Sequence, residues 1–265
     1  MLQEKKVFYQ KRQIIRTVWA NSTLFCEAFF RRKGEWLLIQ MNGVSKVYSN
    51  GSVALSDINV QIDKGEFVFV VGPSGAGKST FIKLVFREEL PTQGDLVVNG
   101  RNVGDLESQE VPYLRRGLGI VFQDYRLLPN RTAYENVAFA MQVVESSHRE
   151  IQKRVPHVLD LVGLRQKARH YPTQMSGGEQ QRIAIARAIV NNPVIVIADE
   201  PTGNLDPETS WEIMKIFDRI NQNGTTIVMA THDKTVVDGM RKRVIAIEKS
   251  RIVRDEAKGV YGYED

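Results

Sequence analysis

The sequence predicts an α/β domain built on a mainly parallel sheet. Three observations lead there. Short apolar strands alternate with helical patterns along the chain. The strongest strands, Phe67 to Val71, Ile120 to Phe122, Val194 to Ala198 and Thr226 to Ala230, carry no polar alternation, as expected of a sheet covered on both faces. The first of them runs directly into a glycine-rich turn followed by a helix, Thr80 to Phe86.

Ahead of that turn, Leu37 to Val47 and Ala54 to Ile62 read as two strands joined by Ser49-Asn50-Gly51-Ser52, a small β appendage to the main lobe. Between about residues 125 and 185 the pattern turns helical, with Ala133 to Val144 and Arg149 to Val162 the clearest segments, and we expect a helical insertion there. The domain should therefore run from 37 to 265.

Residues 1–36 are expected to lie outside the fold. They carry eight bases and three acids, leaving 28 bases and 28 acids in the remainder, so the whole net charge of +5 sits in this segment. A neutral body argues against nucleic-acid binding. The segment lacks regular apolar periodicity. Arg32-Lys33-Gly34-Glu35 can be encoded by the purine-rich run of a bacterial ribosome-binding site, which would put the true start near Leu37 or Leu38; the other reading is a membrane-surface arm, with Trp19, Phe29 and Phe30 among bases. No apolar run approaches the roughly 20 residues needed to cross a bilayer, and no secretory leader is evident. The single cysteine, Cys26, excludes an internal disulfide framework.

Gly72-Pro73-Ser74-Gly75-Ala76-Gly77-Lys78-Ser79 fits the P-loop pattern. Its glycines let successive backbone N–H groups turn toward phosphate oxygens, and the helix from Thr80 adds the positive end of its dipole. Lys78 would reach the β and γ phosphates, and the Ser79 hydroxyl would sit on Mg²⁺. The expected ligand is therefore MgATP. The strand Val194 to Ala198 ends in Asp199-Glu200, at the edge where ligands bind in open α/β sheets. Asp199 suits the Mg²⁺ shell, and Glu200 suits polarising an attacking water.

Met175-Ser176-Gly177-Gly178-Glu179-Gln180-Gln181-Arg182 precedes an amphipathic helix with Ile183, Ala186 and Val190 on one face. Ser176 with Glu179 makes a capping box. Capping does not require two glycines, and their entropic cost makes sense if a phosphate approaches this backbone closely.

This segment resembles the signature motif of the ATP-binding-cassette (ABC) ATPases, and the match extends from about Leu38 to the end of the chain. The resemblance implies a RecA-like parallel-sheet core, an antiparallel β subdomain and a helical subdomain. It also implies roles for further residues. Tyr48 falls where the family stacks an aromatic ring on adenine. Gln123 matches the glutamine that links Mg²⁺ to the transport partner, and Asn204-Leu205-Asp206 the loop that crosses to the other subunit. His232 matches the histidine at the γ-phosphate. Ser176, Gly177 and Gly178 of one copy would cover the ATP on the P-loop of a second, giving a two-fold dimer around two nucleotides. Two departures are Met175, where leucine is usual, and Glu179, where glutamine is common.

Only 33 residues follow His232, fewer than the regulatory domain that many importers append, and there is one cassette. That suits a subunit docking on a separate integral membrane protein, at the cytoplasmic face of the membrane. The run Ala198 to Asp206 is similar to a branch containing lipoprotein-release, macrolide-efflux and cell-division ATPases. Val121 to Leu128, Met229 to His232 and the tail from Arg251 through Tyr261-Gly262-Tyr263 lean toward cell division, where the family moves a membrane partner and so activates peptidoglycan hydrolases. A lipid, lipoprotein or drug exporter subunit and a soluble nucleic-acid-linked ATPase are the alternatives. A groove beside Gln123, lined by Phe122, Tyr125, Leu127, Leu128, Tyr134 and Met141, is the expected seat of a short partner helix.

Overall fold

The computed structural model describes residues 31–32 and 35–262. Two sheets organise the chain. The larger holds β4 (Phe67–Val71), β7 (Leu118–Val121), β8 (Ile195–Asp199), β9 (Thr226–Ala230), β10 (Arg243–Glu248) and β11 (Arg251–Glu256), in the order β11-β10-β4-β9-β8-β7. Every pairing in it is parallel except the β10–β11 hairpin.

Burial on both faces explains the uninterrupted apolar runs. Phe67, Phe69 and Val71 of β4 enter one core with Val196, Ala198, Ile227 and Met229, while Val68 and Val70 enter the other with Ile195, Ile197, Val228 and Ala230. Successive side chains of a strand point to opposite faces, so each strand of the larger sheet except the edge strand β11 feeds both cores. The first core is closed by α3 (Ala133–Val143), α4 (His148–Leu161), α5 (Gly177–Ile189), α6 (Pro207–Gln222) and α7 (Lys234–Met240). The second is closed by α1 (Lys78–Val85) and by the smaller, antiparallel sheet. Full burial of Phe69, Phe81 and Phe217 stabilises the fold by about 1.5–3 kcal/mol for each side chain.

The smaller sheet contains β2 (Glu35–Val47), β3 (Val53–Asp63), β5 (Gln93–Val98) and β6 (Arg101–Asn102), with β1 (Arg31–Arg32) paired to the start of β2. The strand β2 thus begins two residues before the expected domain start. The expectations for the rest of residues 1–36, Cys26 included, lie outside the described residues. A short helix, α2 (Val111–Arg116), completes the helices described here. Among the described residues no helix is long and apolar enough to cross a membrane.

The strands expected at 67–71 and 226–230 have those bounds, and the others differ by one or two residues at their ends. The expected strand 120–122 runs 118–121, and the expected 194–198 runs 195–199. The segment Ala133–Val143 and its successor His148–Leu161 each start with a capping box, Thr132 with Glu135 and Ser147 with Glu150. Those local hydrogen bonds fix where the helices begin.

Candidate nucleotide site

Strand register brings the chemistry together. Val70 pairs with Ala230, and Ala230 pairs with Asp199, so β4, β9 and β8 end at one level. The P-loop, Thr231-His232 and Asp199-Glu200 leave the sheet side by side. Val121 pairs with Ala198, which brings Phe122-Gln123 to the same edge.

The P-loop backbone is shaped by two glycines. Gly77 holds φ 112°, and a Cβ on it would lie 2.3 Å from the Ala54 carbonyl oxygen; at Gly72, φ 146°, it would lie 2.1 Å from the Ile247 carbonyl oxygen. No larger residue fits either position. Gly77 also begins α1 with no side-chain cap and no acid in the first turn. The end of this helix therefore keeps its N–H groups and positive dipole available to an anion. Pro73, Ser74 and Gly75 are exposed, Ala76 is buried, and Gly77 is half-buried. Lys78 is buried, and its Nζ donates to the carbonyls of Gly72 at 2.8 Å and Pro73 at 3.1 Å. Thr80 is buried, and its hydroxyl lies 3.1 Å from that of Tyr48, which is half-buried at the end of β2.

Ser79 and Asp199 meet from two elements, the Ser79 hydroxyl donating to Asp199 Oδ1 at 3.4 Å. Burial pushes the Asp199 carboxyl above the ordinary carboxylate range, and the charge of Glu200 adds to the rise while Ser79 opposes it. A half-buried carboxylate beside a hydroxyl is a donor set that suits a divalent cation, whose charge offsets the cost of desolvation. The cradle, the buried lysine and this oxygen pair fit MgATP.

Glu200 sits in the left-handed region at φ 49°. Such a conformation costs about 1–3 kcal/mol and persists only where the surroundings fix it. Here the Glu200 N–H donates to the Ala230 carbonyl at 2.9 Å, and Glu200 Oε2 accepts from the His232 N–H at 3.2 Å and from His232 Nδ1 at 2.8 Å. The carboxylate and the imidazole are one hydrogen-bonded pair.

The loop after Glu200 answers to its own chain. Gln123 Nε2 donates to Asn204 Oδ1 at 3.4 Å, Leu205 packs on the core, and Asp206 caps α6 by accepting from the Thr209 N–H at 2.9 Å. Hydrogen bonding from the Thr209 side chain first, and then from its N–H, holds the Asp206 carboxyl below its usual range.

The signature glycines have intrachain reasons as well. A Cβ on Gly178 would lie 2.3 Å from the Thr209 methyl, and one on Gly177 2.9 Å from the Tyr125 hydroxyl. Ser176 is exposed and caps α5 in a box with Glu179. Lys167 bonds Glu179, and that bond, the largest influence on it, holds its carboxyl below the ordinary range. An acid in the first turn opposes anion binding at a helix N-terminus; Lys167 offsets it. Twelve residues of separation leave no sequence pattern that would have revealed this pair.

The expected partner groove needs correction. Leu127, Tyr134 and Met141 pack into the helical core, and Tyr125 turns its hydroxyl toward Gly177. Phe122 and Leu128 do line a groove, of about 580 Å³, together with Phe139 and Val143, which are 47% and 56% exposed. Arg126 lies over the Phe122 ring at 3.7 Å, and Arg187 donates to the carbonyls of Tyr125 and Arg126, both left-handed. A helix apolar on two faces does not show from sequence which face meets the core.

Residues 55–203 match the model of the ABC transporter family. The chain belongs to that family, and it is an ATP hydrolase of the ABC type that uses MgATP. Within the family it groups with the cell-division ATP-binding proteins FtsE: it is 59% identical to FtsE of Bacillus subtilis (strain 168) over 228 residues, 86% of this chain and 100% of that protein. FtsE of Escherichia coli (strain K12) is 43% identical over 215 residues, 81% of this chain and 97% of that one. Among solved structures, the dimeric post-hydrolysis state of the ATP-binding cassette MJ0796 with ADP and Pi superposes with a TM-score of 0.76 at 36% identity, over 85% of this chain and all of that one. CbiO1 of Clostridium perfringens gives 0.78 at 30%, over 84% and 89%.

Proposed function

We propose that two copies of this chain close around two MgATP, and that closure moves a membrane partner resembling FtsX to regulate peptidoglycan hydrolysis during cell division. The chain would act at the cytoplasmic face of the membrane, held there by its partner. The strongest support is the 59% identity to a cell-division ATP-binding protein over that protein's whole length.

ATP with Mg²⁺ supplies the phosphoryl group and its charge neutralisation. Lys78, Ser79 and Asp199 hold the phosphates and metal, Tyr48 faces the base, and the amides from Gly72 to Thr80 form the cradle. Glu200 accepts a proton from the attacking water as general base, and His232, bonded to it through Nδ1, keeps the carboxylate aimed. Gln123 carries the state of the site to the groove of Phe122, Leu128, Phe139 and Val143. Ser176, Gly177 and Gly178 complete the site of the second copy, with Asp206 beside it.

Glu200→Gln should bind ATP normally, lose turnover by on the order of 100-fold or more, and elute as a dimer with MgATP. Normal hydrolysis by this variant would refute the assignment of the base. Phe139→Glu should keep ATPase activity and lose co-purification of the membrane partner. Similarity to MJ0796, a bacterial ABC transporter cassette, favours a transporter subunit as the second reading. A neighbouring gene for a four-span membrane protein with one large outer loop would favour the division role.

A further inference from the structure

The geometry points to Tyr261, near the end of the described chain, as a positioning residue that holds the first carbonyl of the P-loop while Lys78 engages phosphate. The inference rests on the P-loop being the ATP site.

The tail is fixed from three directions. Arg254 of β11 donates through Nη2 to the carbonyls of Val260 at 2.7 Å and Tyr261 at 2.9 Å. The Gly259 N–H donates to the Lys242 carbonyl at 3.1 Å, and Val260 is buried. The Tyr261 N–H donates to Asp238 Oδ1 at 2.7 Å, on α7, the helix that follows His232. The ring packs on the core that includes β4, and its hydroxyl donates to the Gly72 carbonyl at 3.4 Å. Burial first, then the nearby charge of Glu200, push the phenol above its ordinary value, so it stays protonated and remains a donor.

Gly72 is the shared point. Its buried carbonyl accepts from Lys78 Nζ at 2.8 Å as well as from Tyr261. A lysine that turns its ammonium to phosphate oxygens weakens its bond to that carbonyl, and a buried acceptor without a donor is costly. Tyr261 keeps the acceptor satisfied in both arrangements. Its contribution therefore belongs to the nucleotide-bound arrangement, where Lys78 has moved, more than to the fold, where Lys78 already serves Gly72.

Tyr261→Phe tests this in the full chain. Affinity for Mg²⁺ with a non-hydrolysable ATP analogue is measured by calorimetry, and thermal stability is measured without nucleotide. The expected result is a Kd raised by between about two- and tenfold, the weight of one hydrogen bond, with the nucleotide-free Tm unchanged. An unchanged Kd, or a Kd and Tm that both worsen, would overturn the inference, the second outcome reducing Tyr261 to packing. Binding by the parent chain, run alongside, separates failure of this inference from failure of the ATP-site reading.

Discussion

Two glycine-rich helix entries in this molecule solve opposite problems. At the P-loop, Gly72 and Gly77 adopt conformations closed to other residues, and α1 begins without a side-chain cap or an acidic first turn. Its amides are left for a ligand. At the signature segment, Ser176 and Glu179 cap α5, and Gly177 and Gly178 are helical residues squeezed by Tyr125 and Thr209. The first entry has the backbone shape of a phosphate cradle. The second is a stable platform presenting an exposed serine, which in the proposed function needs a second surface to become a site.

Substitutions can break that contrast. Gly77→Ala should have the largest effect: strain against the Ala54 carbonyl cannot relax, and ATP affinity should fall on the order of 100-fold or more, read by nucleotide titration. Gly178→Ala meets a methyl group instead of backbone. It should cost about 1–3 kcal/mol in denaturant unfolding, and Thr209→Ser, which removes that methyl, should recover most of the loss. No second-site change of this kind should rescue Gly77→Ala.

Charge separates the entries too. Because burial raises the Asp199 carboxyl, the folded chain binds that proton more tightly than the unfolded one, and the site loses stability as pH rises through the carboxylate range. Asp199→Asn should therefore melt higher than the parent at pH 7 in chelator, the gap closing below about pH 4, while Mg²⁺-dependent turnover is lost. Glu179 has the opposite sign. Its carboxyl is lowered, so its contribution is present above the ordinary carboxylate range and lost as pH falls through the lowered value. Glu179→Gln should lower the neutral-pH Tm by about 1–3 °C, with no difference in strong acid.

Legibility from sequence followed locality. Four strands of the large sheet, β4, β7, β8 and β9, were readable because both faces are buried, whereas the β10–β11 hairpin was not read; the P-loop was readable because one short run carries its whole geometry. The capping box at Ser176 is equally local. Long-range facts were not readable. Strand order puts β10, late in the chain, beside β4, and only that order brings Tyr261 to Gly72. The reason for Gly178 lies on α6, so sequence assigned its smallness to a ligand alone. Phe139 and Val143 replaced three core residues in the groove because helical periodicity gives a face without saying what covers it.

In the proposed function each ATP site is shared between two copies. Lys78→Ala disables the P-loop half, and Ser176→Asp keeps a good N-cap on α5 while placing a negative charge where phosphate would approach. Each variant alone should hydrolyse almost no ATP. Mixed in equal amounts, they should regain about a quarter of the parent rate, because half the dimers carry one intact site out of two. A mixture no more active than its components would rule out sites shared between copies.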